Sequence, residues 1–172
     1  MLTKPSLDDL EMLNPEELGK LLCAEVSARK PNLGYVQDIL DVGCPIDSRA
    51  GLGWSALHIA SSRGNMDLAE FLISRGSSPT LKMDGGWSPL HIAAETGKLE
   101  MVKFLVSKGA EVNHSSKSGL TALHVAAWNR RLEVIDFLIS RGADIYARTN
   151  DDQTAWDIAT AYLRKKCPKL KP

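Results

Sequence analysis

The sequence has few cysteines, no excess of either charge and no long apolar segment, and each shortage excludes a class of protein. Cys23, Cys44 and Cys167 are odd in number and lack the spacing of metal or redox motifs, as expected for reduced thiols. The 21 Lys and Arg residues balance the 21 Asp and Glu residues, so no net field attracts nucleic acid or an anionic membrane. No apolar run reaches the ~18 residues of a membrane-spanning helix, and no signal-peptide segment follows Met1. We therefore expect a cytoplasmic protein, with the nucleus as a second location and without membrane insertion.

What the sequence does contain is a repeat with a period of 33 residues. A tetrapeptide that begins with Ser or Thr recurs in register, and a glycine recurs with the same spacing. A period of this length is the sequence signature of a solenoid, a stack of similar units. The tetrapeptides are Ser55-Ala56-Leu57-His58, Ser88-Pro89-Leu90-His91, Thr121-Ala122-Leu123-His124 and the altered copy Thr154-Ala155-Trp156-Asp157; the glycines are Gly43, Gly76, Gly109 and Gly142.

Each unit predicts two short helices followed by a turn. Ser88 is a suitable N-cap, because its hydroxyl can accept a bond from an unpaired backbone N–H, and Pro89 suits the first helical turn. Gly97 ends this helix, since glycine tolerates the left-handed conformation of a helix C-cap. A second helix over residues 99–107 has its apolar residues at helical spacing. Residues 110–119 are too polar and too rich in glycine for a third helix, and they predict a protruding turn.

This pattern resembles the ankyrin-repeat family. The motif G-x-[ST]-[AP]-L-H-[IV]-A, then a glycine, a second helix and G-A-[DE]-[VI], covers residues 53–147. With weaker ends, the resemblance spans residues 17–166. It implies an all-α fold, an ankyrin-repeat solenoid of stacked helix-turn-helix units with protruding β-hairpin turns.

The register divides the chain into units. The three full repeats are flanked by a degenerate repeat, in which Lys20, Glu25, Arg29 and Lys30 supply the polar face that an end unit needs, and by a half repeat. The units are an N-terminal extension with a short helix (1–16), an ankyrin-repeat domain (17–166) composed of the degenerate repeat (17–49), full repeats (50–82, 83–115 and 116–148) and the C-terminal half repeat (149–166), and a basic tail (167–172).

The C-terminal end and one turn depart from the pattern. Pro168 excludes a second helix in the last unit, so we expect one helix from Thr154 to about Lys166. Trp156 then either covers the exposed apolar end of the stack, or the chain is a fragment of a longer protein. Five cations and no acid lie between residues 164 and 172; a solvated terminus is expected, with an import signal, nucleic-acid contact or membrane contact as alternatives.

Arg130 replaces the turn glycine, which predicts either a strained backbone or a reshaped turn.

No residue pattern indicates catalysis, a metal or a cofactor. His58, His91 and His124 recur once per repeat, so stacking places them in a row that cannot bring ligands within about 2 Å of one metal ion. In the family this histidine is a structural group that links adjacent turns. The Ser, His and acidic residues form no triad outside the repeat, and Gly85-Gly86 lacks the Lys of a phosphate-binding loop.

The positions that vary between repeats indicate where a partner binds. In the family, the hairpin tips and the exposed side of the first helices line one concave surface that binds other proteins. Tryptophan, tyrosine and arginine are typical of binding hot spots. The alternative is that these aromatics pack on neighbouring turns. By register, the predicted partner-binding residues are Trp54, Arg63, Trp87, Glu95, Leu120, Trp128, Asn129, Gln153 and Tyr162.

The sequence thus predicts a non-catalytic, monomeric protein–protein interaction module, an adaptor or an assembly factor, whose partner is another protein and not a small-molecule substrate. The alternative is a regulatory inhibitor that occludes an enzyme's active site. Nucleic-acid contact through the basic tail is a third reading.

One residue is also a candidate for modification. The stretch from Leu105 to Glu111-Val112-Asn113 resembles the site that an asparaginyl hydroxylase modifies in ankyrin hairpins, which makes Asn113 a candidate hydroxylation site. The alternative is that Asn113 serves only the turn, whose geometry asparagine tolerates well.

Overall fold

In the computed structural model, residues 4–159 and 161–172 are described, apart from the side chains of residues 161–163. Helices dominate, and the only extended elements among the described residues are two short strands and an isolated bridge. The elements are α1 (Leu7–Glu11), α2 (Pro15–Val26), α3 (Leu33–Asp41), β1 (Arg49–Ala50), β2 (Trp54–Ser55), α4 (Ala56–Arg63), α5 (Met66–Ser74), α6 (Pro89–Thr96), α7 (Leu99–Ser107), α8 (Ala122–Trp128), α9 (Leu132–Ser140), α10 (Ala155–Ile158), α11 (Ala161–Lys166) and a 3-10 turn (Pro168–Leu170).

The predicted helix-turn-helix units are confirmed. The first helices of successive repeats, α4, α6, α8 and α10, pack against one another in one layer, and the second helices α5, α7 and α9 form a layer behind them. Ala60, Ala93 and Ala126 occupy the same position in successive repeats and are completely buried. Their small side chains let neighbouring first helices approach closely, while large buried residues such as Leu90 and Leu105 fill the space between the layers.

The tetrapeptide begins each first helix through a modified capping box. In repeat 116–148, the Thr121 hydroxyl accepts a bond from the backbone N–H of His124, and the His124 ring nitrogen Nδ1 lies 2.8 Å from Thr121 Oγ1 and 3.2 Å from Thr121 N. The histidine therefore takes the place of the Glu or Gln that usually completes such a box. This explains why the motif requires Ser or Thr three residues before His.

The hairpins stack on one another through backbone hydrogen bonds. Lys117 N donates to Gly85 O at 3.0 Å, and Asn150 N donates to Ser118 O at 3.0 Å. Gly86 has a φ of 81°, and a Cβ atom there would lie 2.9 Å from Lys117 N. Glycine is therefore required both by the left-handed backbone and by the close approach of the next hairpin.

The turn at Arg130 keeps the geometry that glycine adopts in the other repeats. Arg130 has a φ of 57°, and its N–H bonds to Ala127 O at 3.2 Å, as Gly97 N bonds to Ala94 O at 3.3 Å. Of the two predicted outcomes, the strained backbone is therefore the one observed.

The degenerate first repeat uses one of its predicted surface charges internally. Glu25 is only 8% exposed, which contradicts its predicted place on the outer polar face. Its carboxylate pairs with Lys4 Nζ at 2.7 Å and accepts a bond from Asn32 N at 2.8 Å. Glu25 therefore joins the N-terminal extension to the start of α3.

The C-terminal region differs from the prediction in two respects. The expected single helix is divided, because α10 ends at Ile158 and Ala159 is extended with a ψ of 135°. The expected solvated tail is also wrong: Cys167 and Leu170 are buried, and the 3-10 turn packs on α9. The 3-10 turn therefore covers part of the apolar side of α9, which a second helix would otherwise cover.

Trp156 packs against the edge of the core in the last unit. The guanidinium of Arg164 lies 5.4 Å from the centre of its ring, and Arg164 Nε donates to Trp156 O at 2.9 Å. This arrangement supports the prediction that Trp156 covers apolar surface. Within residues 4–159 and 161–172, no helix combines the length and the apolar character needed to cross a membrane.

Candidate functional site

Trp87 is held by contacts on both sides of its hairpin. Its backbone oxygen lies 3.2 Å from His58 Nε2 of the preceding repeat, and its indole ring lies 5.7 Å from the His91 ring. The side chain is half-buried. Trp87 is thus positioned by the repeat before it and by the helix that follows it.

Trp128, by contrast, projects into solvent. It is the last residue of α8, and its side chain is 69% exposed. The following residue, Asn129, caps the helix and donates a bond from Nδ2 to Val125 O at 3.0 Å. The indole ring lies beside the hairpin residues Ser118 and Asp151, which line the same cavity.

Trp87 and Trp128 line one cavity of about 310 Å³. Six of the nine predicted partner-binding residues lie in its lining: Trp87, Glu95, Leu120, Trp128, Asn129 and Gln153. The remaining lining residues, which were not predicted, are Ser118, Val125, Thr149, Asp151 and Ile158.

The repeat register contains the signal for most of the missed residues. Ser118 and Asp151 are 33 positions apart, as are Val125 and Ile158. Each pair therefore recurs on neighbouring units, like the predicted pair Glu95 and Trp128. Extending the register to the hairpin tips and to the inner turn of the first helices would have found these four residues.

Two other predicted residues, Trp54 and Arg63, do not line this cavity. Trp54 lies in a separate depression beside Ala24 and Ile59. The guanidinium of Arg63 donates to the backbone oxygens of Ser27 and Ala28 at the end of α2, so it links the first two repeats. The side chain of Tyr162 lies outside the described residues. Their roles in binding stay predictions.

The cavity has acidic groups but no basic residue in its lining. Glu95 and Asp151 contribute carboxylates, whereas Ser118, Thr149 and Gln153 contribute neutral polar groups. The walls combine these with the two indole rings. The arrangement suits the binding of an amphipathic or positively charged group.

The histidine row has the structural role that was predicted. His58, His91 and His124 are buried, and each joins its own cap to a backbone oxygen of the next unit. Burial lowers the pKa of His58 and of His91 to about 4 and also lowers the pKa of His124. No group of three or more potential metal ligands occurs among the described residues.

Asn113 connects two successive hairpins. Its Nδ2 donates to Gly142 O at 3.0 Å, and its Oδ1 accepts from Asp144 N at 2.8 Å. Asp47 occupies the same register position and bonds similarly to Ser77 and Ser78 in the next hairpin. These bonds explain the residue through turn structure, and hydroxylation of Asn113 stays a prediction.

Comparison with known proteins agrees with this architecture. The family model described as "Ankyrin repeats (3 copies)" matches residues 24–116 and 57–149. The chain is 39% identical over 59 residues to the Caenorhabditis elegans ankyrin repeat and KH domain-containing protein mask-1, over 34% of this chain and 2% of that protein. It is 38% identical over 68 residues to mouse protein phosphatase 1 regulatory subunit 27, over 40% of this chain and 42% of that protein.

In both cases the matched segment spans less than half of the relative's length. Ankyrin repeats, which the family model matches, are generally protein–protein interaction modules. The match of the family model over most of the chain, together with the stacked helix pairs and hairpins, shows that this chain belongs to the ankyrin-repeat family.

Proposed function

We propose that this chain is a non-catalytic adaptor or assembly factor that binds a partner protein in the cavity between Trp87 and Trp128. The observation that carries the proposal is the 69% exposure of Trp128 beside a second, half-buried tryptophan in one concave site. Large aromatic side chains with polar neighbours are typical of the centre of a protein interface. Surface tryptophan that does not pack on its own chain leaves apolar area for a partner to cover.

The aromatic residues on the back of the stack are less accessible to a partner. Ankyrin second helices form the back of the stack, and here their half-exposed aromatics are covered by the chain's own cations: Arg75 lies over Phe71 and Lys108 lies over Phe104. The cavity side, by contrast, presents an exposed indole ring, that of Trp128. We infer a monomer in the cytoplasm, without a cofactor, as the form that binds.

A regulatory role on an enzyme is the second candidate. It is favoured by the 38% identity to a phosphatase regulatory subunit over 68 residues. The shared segment is only part of that protein, so the proposal concerns the class of role and not the partner. An adaptor is expected to bind several proteins, whereas an inhibitor is expected to bind one enzyme tightly and to lower its activity.

Affinity capture from cell extract, followed by mass spectrometry, tests the proposal. The wild-type chain should capture one or more proteins that the Trp128→Ala variant captures at least about tenfold less. Lys108→Ala, a substitution on the back of the stack, is the control and should capture the same proteins as the wild type. If both variants capture the wild-type set equally, the cavity is not the binding site.

A further inference from the structure

We propose that the cavity between Trp87 and Trp128 receives a positively charged side chain, lysine or arginine, from an extended segment of the partner protein. This inference rests on the proposed function and specifies the chemistry of the group that is bound. It follows from three independent features of the site: its uncompensated carboxylates, its uncovered indole rings and its size.

The first feature is an excess of negative charge. Glu95 and Asp151 line the cavity, and no Lys or Arg side chain does so. Within the described part of the chain, neither carboxylate forms an ion pair.

The basic group that contacts the backbone of Glu95 is used elsewhere. Arg131 Nε donates to the backbone oxygen of Glu95 at 2.9 Å, and the Arg131 side chain lies against Gly97. It binds the end of α6 and is not part of the cavity lining. A cation from another molecule would therefore meet two carboxylates without displacing a cation of the chain.

The second feature is a contrast among the aromatic rings. Arg164 lies over Trp156, and a Lys or Arg lies over each of Phe71, Phe104 and Phe137, with distances of 5.4 to 5.8 Å from the ring centre. Among the described residues, no such cation lies over Trp87 or Trp128. Tryptophan is the most favourable ring for a cation, and these two rings face a cavity that also holds acids.

The third feature is the size and the polar lining of the cavity. Its volume of about 310 Å³ lies at the lower limit of ligand pockets, about 300–1,000 Å³, which suits one side chain better than a large ligand. The side-chain oxygen of Gln153 can accept a bond from an ammonium or guanidinium group, whereas Ser118 Oγ and Thr149 Oγ1 already have partners within the hairpins. An anionic group would find two carboxylates and no basic residue.

Peptide titrations observed by NMR test this inference. The probes are the tripeptides Ac-Gly-Arg-Gly-NH2 and Ac-Gly-Lys-Gly-NH2, each paired with a neutral analogue that contains citrulline or Nε-acetyl-lysine. At least one cationic tripeptide should shift the indole N–H signals of Trp87 and Trp128 in a saturable manner, with a Kd in the millimolar range. The signals of Trp54 and Trp156 should stay in place, and the neutral analogues should bind at least about tenfold more weakly.

Charge variants provide the matched control. Glu95→Gln and Asp151→Asn together should weaken binding of the cationic tripeptide at least about tenfold, while Glu70→Gln, which removes an exposed carboxylate on α5 outside the cavity, should leave it unchanged. The inference is overturned if neither cationic tripeptide shifts the two signals, if the neutral analogues shift them equally, or if the cavity variant binds like the wild type.

These outcomes are distinct from a failure of the proposed function. If a captured protein depends on Trp128 but binds the charge variants normally, the cavity binds a protein and the cationic occupant is wrong. If the tripeptides bind as expected but no captured protein depends on Trp128, the cation site stands and the role in protein assembly is wrong.

Discussion

The Nε2 atom of His91 lies 2.9 Å from the backbone oxygen of Leu120, and its Nδ1 atom lies 2.9 Å from the Ser88 hydroxyl. One buried ring thus joins the start of α6 to the turn of the next repeat. Leu120 belongs to the cavity lining, and His58 makes the corresponding bond to the backbone of Trp87. The repeated histidines therefore hold the binding surface in place as well as the stack.

The same histidines should make stability depend on pH. Their pKa values in the folded state, about 4 for His58 and His91, lie below the ordinary value of 6.5, because burial disfavours the charged ring. The unfolded chain therefore binds more protons as the pH falls below 6.5, and folding becomes less favourable until about pH 4. At pH 5, each of these two residues should lower the free energy of unfolding by about 2 kcal/mol relative to neutral pH.

Urea titrations at pH 7, 6 and 5 measure this loss. A His91→Gln variant should be less stable at pH 7, since the bonds to Ser88 and Leu120 are lost, but its stability should fall less between pH 7 and pH 5. The exposed carboxylates with lowered pKa, such as Asp9 and Asp41, matter only below about pH 4. A wild-type stability that is constant from pH 7 to pH 5 would contradict the assignment of neutral, buried rings.

Truncation of an interior leucine should destabilise the protein more than truncation of a surface leucine. Leu90 is completely buried in α6, whereas Leu52 is 74% exposed on a hairpin. Leu90→Ala should lower the free energy of unfolding by about 2–5 kcal/mol, and Leu52→Ala should lower it by less than about 0.5 kcal/mol. Urea titration of both variants decides this, and equal losses would show that repeat 83–115 is not in the interior of the stack.

Backbone strain at one turn can be relieved. Arg130 adopts a φ of 57°, so Arg130→Gly should raise the free energy of unfolding by about 0.5–1 kcal/mol, whereas Arg130→Ala should not. The reverse change, Gly97→Ala, should be destabilising, because the new Cβ would lie 2.7 Å from Arg131 Cδ and the φ is 74°. Thermal unfolding of the three variants tests this, and a destabilised Arg130→Gly protein would contradict it.

The C-terminal tail should contribute to stability. Leu170 is completely buried in the 3-10 turn that packs on α9, whereas the neighbouring Lys171 is exposed. Leu170→Ala should therefore lower the free energy of unfolding by about 2 kcal/mol or more, while Lys171→Ala should have little effect. If both substitutions change the free energy of unfolding by equally small amounts, the tail is solvated, as the sequence predicted.

The fold was predictable because its determinants are local and repeated. The caps, the turn glycines and the spacing of apolar residues recur every 33 positions, so each copy supports the same interpretation. The ends lack that support. The break after Ile158 has no counterpart in the full repeats, and the burial of Leu170 depends on long-range contacts with α9. Glu25 is buried through a pairing with Lys4, which lies outside the repeats.

The candidate site was predictable in part for the same reason. Register alone brought Trp87, Leu120 and Gln153 together, because stacking places equivalent positions side by side. It did not show that Arg63 bonds to the end of α2 or that Trp54 lies in a separate depression, since these depend on the irregular first repeat. The negative charge of the cavity could not be predicted from the sequence, because it depends on which residues lie around Asp151 in three dimensions.

The affinity for a captured partner protein, measured by calorimetry, tests the central claim most directly. Trp87→Ala and Trp128→Ala should each weaken binding at least about thirtyfold, as expected for a loss of about 2 kcal/mol at a hot spot. Lys108→Ala, on the back of the stack, should change it less than about threefold, with circular dichroism confirming that all three variants are folded. Normal binding by folded Trp87→Ala and Trp128→Ala, with binding abolished by removal of residues 163–172, would show that the partner does not bind in the cavity.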